Sequence, residues 1–263
     1  MPHIERAGQR VAYVDTPGEG ATIVLAHNLM SHAGTFAEVT RRLAPRWRVL
    51  AVDLRGHGDS GDAPRPFTTI DLAEDLVGVM DAAGVGEAFI AGTSLGAAAA
   101  AELALLAPQR VRGLALMAAT PFAASAADHV TFTALRGVIV ALGPTPVMFP
   151  MLRQLLGASY RAHEPEGVAA AAARIRATSR RDLAWSVQAW ARRPRLAGRL
   201  AAISAPTVVV VGDEDKACPR PFSEAIAAEI GGARLEVVRG AGHSVQLERP
   251  AEVAEILAAL MSR

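Results

Sequence analysis

A single cysteine, Cys218, stands among the 263 residues, so neither an intramolecular disulfide nor a multi-cysteine zinc site can form. Neither charge is in excess. Lys and Arg number 27 against 26 Asp and Glu, for a formal net charge of +1. Without a basic surplus the chain lacks the field on which non-specific phosphate contacts draw, which argues against a nucleic-acid partner. Long apolar runs are missing too. The longest uncharged stretch, residues 137–152, is broken by Pro144, Pro146 and Pro150, too short and too interrupted for a membrane span. Met1–Arg10 is polar and lacks the apolar core of a secretory signal, so a cytoplasmic location is expected. No H-E-x-x-H or H-x-H-x-D-H pattern occurs, and His57 with Asp59 reads as part of a structural turn; no metal and no cofactor is expected.

What is present is apolar: 51% of residues are hydrophobic, enough for a sizeable core. Short apolar runs at Ala21–His27, Arg48–Leu54, Ala88–Gly92, Gly113–Ala119, Thr207–Gly212 and Arg234–Arg239 fit strands buried on both faces. Helical patterns lie between them, at Phe36–Leu43, Ile70–Ala83, Leu95–Leu106, Ser223–Glu229 and Ala251–Met261. This alternation predicts an α/β fold with a doubly wound, mostly parallel sheet, and Val11–Asp15 reads as an opening antiparallel strand. The alternation stops near Pro121 and resumes near Pro206. Residues 1–121 and 200–263 are read as the two parts of the core, and 122–199 as a helical cap. The cap carries Arg174, Arg176, Arg180, Arg181, Arg192, Arg193 and Arg195, read as solvated faces, with Trp185 and Trp190 as packing.

Chemistry concentrates in three places. Gly92-Thr93-Ser94-Leu95-Gly96 is a G-x-S-x-G pentapeptide between a predicted strand and an alanine-rich helix, the setting that lifts a serine above a sheet edge. A serine hydroxyl needs a base, and Gly240-Ala241-Gly242-His243 supplies one in a loop after a strand. The base needs an orienting acid; Asp213, Glu214 and Asp215 all follow the strand Thr207–Gly212. The chain order Ser, acid, His is that of α/β-hydrolases.

With Asp53-Leu54-Arg55-Gly56-His57-Gly58-Asp59-Ser60, Gly212-x-x-Asp215-x-x-x-Pro219, and Glu248-Arg249-Pro250 after Gly242-His243, the chain resembles the α/β-hydrolase family over nearly its whole length. The resemblance implies Ser94 as nucleophile, His243 as base and Asp215 as the orienting acid. It also implies an oxyanion hole from the backbone N–H of Leu95 and of Leu29, in His27-Asn28-Leu29-Met30, with Met30 the second choice. Where many relatives have His-Gly, this chain has His27-Asn28, and Asn is expected to adopt the left-handed backbone there. Asp53 and Arg55 are expected to satisfy backbone groups, and His27 and His32 to pack in loops.

The expected activity is cofactor-independent cleavage of a small-molecule carboxylic ester or lactone through an acyl-enzyme. Met148, Phe149 and other residues of 137–152 are expected to wall an apolar pocket. The Asn28-Leu29 turn and Pro66–Leu72 are similar to 3-oxoadipate enol-lactone hydrolases; Arg136 or Arg153 would then meet the lactone's carboxylate. Cofactor-free perhydrolysis of the haloperoxidase type, and a non-hydrolytic ligand receptor on the same fold, are also compatible with these motifs.

Overall fold

A computed structural model describes residues 1–262; Arg263, the last residue of the expected C-terminal part, lies outside the described residues. The continuous apolar runs form strands that are shielded on both faces, and every residue of β5 (Ala88–Thr93) and β7 (Thr207–Gly212) is buried. With β1 (His3–Arg6), β2 (Gln9–Thr16), β3 (Gly20–Ala26), β4 (Trp47–Val52), β6 (Val111–Met117) and β8 (Arg234–Val238) they make one eight-stranded sheet in the order β1-β2-β4-β3-β5-β6-β7-β8. β1 and β2 run antiparallel to their neighbours, and the rest pair in parallel.

Successive strand residues face opposite layers. Ile23 and Leu25 pack with Val39 and Leu43 of α1 (Ala37–Leu43) and with Val253 and Leu257 of α11 (Pro250–Met261). Val24 and Ile90 point the other way, toward Leu72 and Leu76 of α2 (Thr69–Ala82), Leu103 of α3 (Leu95–Leu106) and Ile226 of α9 (Arg220–Glu229). The helix α2 starts one residue before the predicted Ile70, because Thr68 and Asp71 cap it reciprocally.

Between β6 and β7 the chain makes α4 (Ala126–Leu142), α5 (Met148–Leu155), α6 (Ala158–His163), α7 (Pro165–Ala177) and α8 (Arg180–Ala191). Their apolar faces share one cluster, in which Met151, Leu156, Ile175, Leu183 and Val187 meet Met30 from the core. Thus the insertion is seated over the carboxyl ends of the strands. No helix among the described residues is long and apolar enough to cross a membrane.

Strand register sets the site. Ala26 pairs with Gly92, so the chain leaving β3 and the chain leaving β5 emerge side by side. Gly212 pairs with Val238, which does the same for the acid and histidine loops. This is the carboxyl edge where open α/β sheets place their ligands.

Candidate active site

Ser94 joins β5 to α3 with φ 54°, ψ −108°, a conformation strained for any residue but glycine. The turn can close only because its flanks lack side chains. A Cβ on Gly92 would lie 2.2 Å from the Gly96 carbonyl, and one on Gly96 would lie 2.2 Å from the Ala26 carbonyl oxygen. The second contact presses the helix start against the end of β3, bringing the Leu95 N–H toward the loop that follows Ala26. Ser94 is 3% exposed, and its hydroxyl makes no hydrogen bond among the described residues.

Of the three acids after β7, Asp215 is the one that reaches the histidine. Its two carboxylate oxygens lie 3.0 and 3.1 Å from His243 Nδ1. The backbone N–H groups of Ala217 and Cys218 donate to Asp215 Oδ1 at 2.9 Å, fixing that carboxylate. Asp213 instead accepts from Gly240 N, and Glu214 from Ser159 of α6. With Nδ1 engaged by Asp215, His243 keeps Nε2 free to act as a base. No hydrogen bond joins Ser94 to His243 among the described residues.

The loop after β3 is held by two neutral imidazoles. His27 Nδ1–H donates to the Asn28 carbonyl at 2.8 Å, while its Nε2 accepts from Leu54 N at 3.0 Å. His57 Nε2 accepts from Met30 N at 3.2 Å, and its Nδ1 donates to the Arg55 carbonyl. Burial pulls His27 well below the ordinary imidazole range and lowers His57, preserving the unprotonated nitrogens these bonds require. The Asn28 carbonyl and the Leu29 N–H belong to one trans peptide and point in opposite directions, so the His27 bond aims the Leu29 N–H away from His27. Met30 N is already engaged by His57, which removes it as the alternative donor. The left-handed residue of this loop is Met30, φ 62°, and not Asn28. Asn28 is there for its side chain: it donates to Ser244 Oγ and accepts from Gln246 Nε2, whose Oε1 accepts from Thr93. This buried amide pair ties together the loops that carry Leu29, Ser94 and His243.

Glu248 plays a similar part on the other side. Its carboxylate accepts the N–H of Gly242 (2.7 Å) and Ser244 (3.1 Å), the two neighbours of His243, and of Gly157 (3.0 Å) in the insertion. Burial pushes its carboxyl above the usual range, and no Arg or Lys pairs with it among the described residues. Gly157 and Gly242 pack backbone to backbone, a Cβ on Gly242 falling 2.2 Å from Gly157 N. A Glu two residues before a Pro is all the sequence shows of this clamp.

A cavity of about 610 Å³ lies beside these loops, walled by Asn28, Met30, Leu152, Leu156, Ile175, Ser244 and the inner side of α7. Ser94 and His243 are not part of its wall, although Ser244, the residue after His243, is. The expected pocket residues are placed differently. Phe149 is 69% exposed under the Arg153 guanidinium, because Met148, Met151 and Leu152 take the inward face of α5. Met148 is buried in the insertion's own core and does not line the cavity. Arg136 and Arg153 are exposed; on α4, Ile139 alone is buried. The arginine that does line the cavity is Arg174, half-buried and not a solvated face. It sits on α7 with Gly167, Ala170, Ala171 and Ala177, a helical stripe of small residues that sequence periodicity could have disclosed. Arg55, expected to serve backbone groups, instead pairs fully buried with Asp75 at 2.5 and 2.6 Å; Asp53 does accept backbone N–H groups, from Ala33 and Asp59.

Residues 21–250 match the family model of the alpha/beta hydrolase fold. The chain belongs to the alpha/beta hydrolase family. Within it, the chain is 32% identical over 256 residues to the pimeloyl-[acyl-carrier protein] methyl ester esterase of Xanthomonas campestris pv. campestris, covering 93% of this chain and 96% of that one. A thermophilic esterase from Thermogutta terrifontis superposes with a TM-score of 0.92 at 26% identity, over 99% of this hydrolase and 98% of that structure. The enol-lactonase from Burkholderia xenovorans LB400 shares the fold with a TM-score of 0.92 at 24% identity, each chain being fully covered.

Proposed function

We propose that this alpha/beta hydrolase cleaves a carboxylic ester or lactone of a small molecule through an acyl-enzyme on Ser94. The observation that carries the reading is the convergence, at one sheet edge, of a strained serine with a free hydroxyl and a histidine whose Nδ1 is engaged by Asp215. Ester chemistry is further supported by the esterase relatives. His243 Nε2 takes the hydroxyl proton as Ser94 Oγ attacks the carbonyl carbon. It returns that proton to the leaving alcohol, then draws a proton from water to release the acid. Asp215 holds the tautomer that leaves Nε2 unprotonated. The N–H groups of Leu29 and Leu95, free of other hydrogen bonds among the described residues, receive the oxyanion, each donor contributing about 3–4 kcal/mol in comparable sites.

The test is a panel of aryl esters and lactones run with the wild type and Ser94→Ala. The expected result is a fall in kcat of about 10⁴-fold or more with the fold retained. Full turnover by Ser94→Ala would remove the reading.

A further inference from the structure

The cavity beside the centre has an uneven chemistry. Its walls are apolar side chains, small residues of α7 and the uncharged polar Asn28, Ser31, Thr35 and Ser244, and no Asp or Glu lines it. Two titratable groups do, His32 and Arg174. Burial, and then the charge of Arg174, lowers the His32 imidazole below its ordinary range, so at neutral pH His32 is uncharged. The cavity therefore carries one formal charge, the guanidinium of Arg174.

That guanidinium has no acid partner. Arg181 pairs with Asp62 at 3.2 Å, Arg193 with the Phe122 and Trp190 carbonyls, and Arg199 with Glu102 at 2.8 Å, whereas Arg136, Arg176 and Arg192, which also have no side-chain partner among the described residues, are exposed and do not line the cavity. Arg174 makes no side-chain hydrogen bond or ion pair among the described residues. A half-buried guanidinium with no hydrogen-bond partner has given up part of its hydration without recovering it from the protein, and a planar carboxylate restores it through two parallel N–H···O bonds. A phosphate dianion suits this wall less well, since no second cation lines it. The stripe Gly167, Ala170, Ala171 and Ala177 leaves room for a methylene chain alongside Arg174, and the volume suits a small-molecule ligand.

We propose that the substrate's acyl portion is a short apolar chain bearing a carboxylate, and that Arg174 is the residue that receives that carboxylate. The inference rests on the hydrolase reading, which puts the reacting carbonyl at Ser94, outside this wall and on the side of Asn28 and Ser244, which Gln246 links to Thr93 next to Ser94.

Two measurements test it. The first compares kcat/KM for two p-nitrophenyl esters of equal chain length, the monoester of a linear dicarboxylic acid and the ester of the matching fatty acid. The wild type is expected to favour the acid-bearing ester, and Arg174→Gln to lower that preference about tenfold or more. Arg174→Lys should restore part of it and Arg174→Glu should invert it. The second titrates Ser94→Ala, with and without Arg174→Gln, with a dicarboxylic acid monomethyl ester by calorimetry, which needs no turnover. Binding that is lost with Arg174 supports the inference even if no ester is hydrolysed, in which case the hydrolase reading alone fails. Hydrolysis of both esters in a ratio indifferent to Arg174, or binding that survives Arg174→Gln, overturns the inference and leaves the hydrolase reading standing. No hydrolysis and no binding sinks both.

Discussion

Helices α3 and α4 are both made mostly of apolar residues and are opposite in environment. Ten of the twelve residues of α3 are buried, so it lies inside the molecule with no polar face. On α4, seventeen residues long, Ile139 is the one buried position, and Val130, Val140 and Leu142 are 71%, 53% and 64% exposed. The difference explains where strain can be stored. A serine held at φ 54° keeps that geometry only if its surroundings leave no alternative, and α3 is packed across β3, β5 and β6 on one side and against α2 on another. The insertion meets the core through the Met30 cluster, through Ala189 and Trp190 of α8, and through the carboxylates of Asp182, Glu214 and Glu248, while α4 buries Ile139 alone.

The largest effect that separates the two regions should come from Leu103→Ala in α3. Leu103 is fully buried, and its truncation should destabilise the fold by about 2–5 kcal/mol in a denaturant titration. A smaller loss would mean that the core around α3 can collapse onto the gap. Next comes Glu248→Gln, which replaces one of the oxygens serving three N–H groups by a donor. It should lower kcat about tenfold, with His243 still folded in place. Steady-state kinetics that show a raised KM with kcat intact would make Glu248 a strut of the insertion and not a positioning residue for His243.

The sheet was open to sequence reading because a strand shielded on both faces must be apolar throughout, as Thr207–Gly212 is. β1 was not, since His3–Arg6 is short, polar and paired with β2 alone. The motif residues were legible for a related reason. The G-x-S-x-G turn needs glycines where any Cβ would strike backbone, and Gly92 and Gly96 meet that condition. The pocket was not legible, because which arginine faces inward depends on how α5 and α7 pack and not on charge count. Phe149 and Arg153 look from composition like lining residues, yet they stack on each other outside. The neutral role of His27 and His57 was equally hidden, since nothing local to either residue says that its ring will be buried edge to face against the other's.

A smaller and pH-dependent effect should come from Glu214. Its hydrogen bonds from the Ser159 hydroxyl and N–H hold its carboxyl below the ordinary range. A depressed carboxyl contributes fully above its unfolded value and loses that contribution as pH falls through the folded one. Docking of α6 should therefore be firm at neutral pH and loosen below about pH 4.5, the ordinary value for Glu. Hydrogen exchange at residues 157–163 should show this step in the wild type and lack it in Glu214→Gln; an identical profile in both would assign the docking to Glu248 alone. The smallest effect is expected at Val140→Ser on α4, within about 0.5 kcal/mol of wild-type stability. A cost as large as that of Leu103→Ala would mean that the exposed face of α4 is covered in solution.

The most direct test of the central claim is intact-mass and peptide analysis after exposure to an alkyl fluorophosphonate, which reports whether Ser94 is a histidine-activated nucleophile. The account predicts one adduct per chain, on Ser94, formed rapidly by the wild type and at least about a hundredfold more slowly by His243→Ala. An adduct on another residue, or labelling of Ser94 at the same rate without His243, would contradict it.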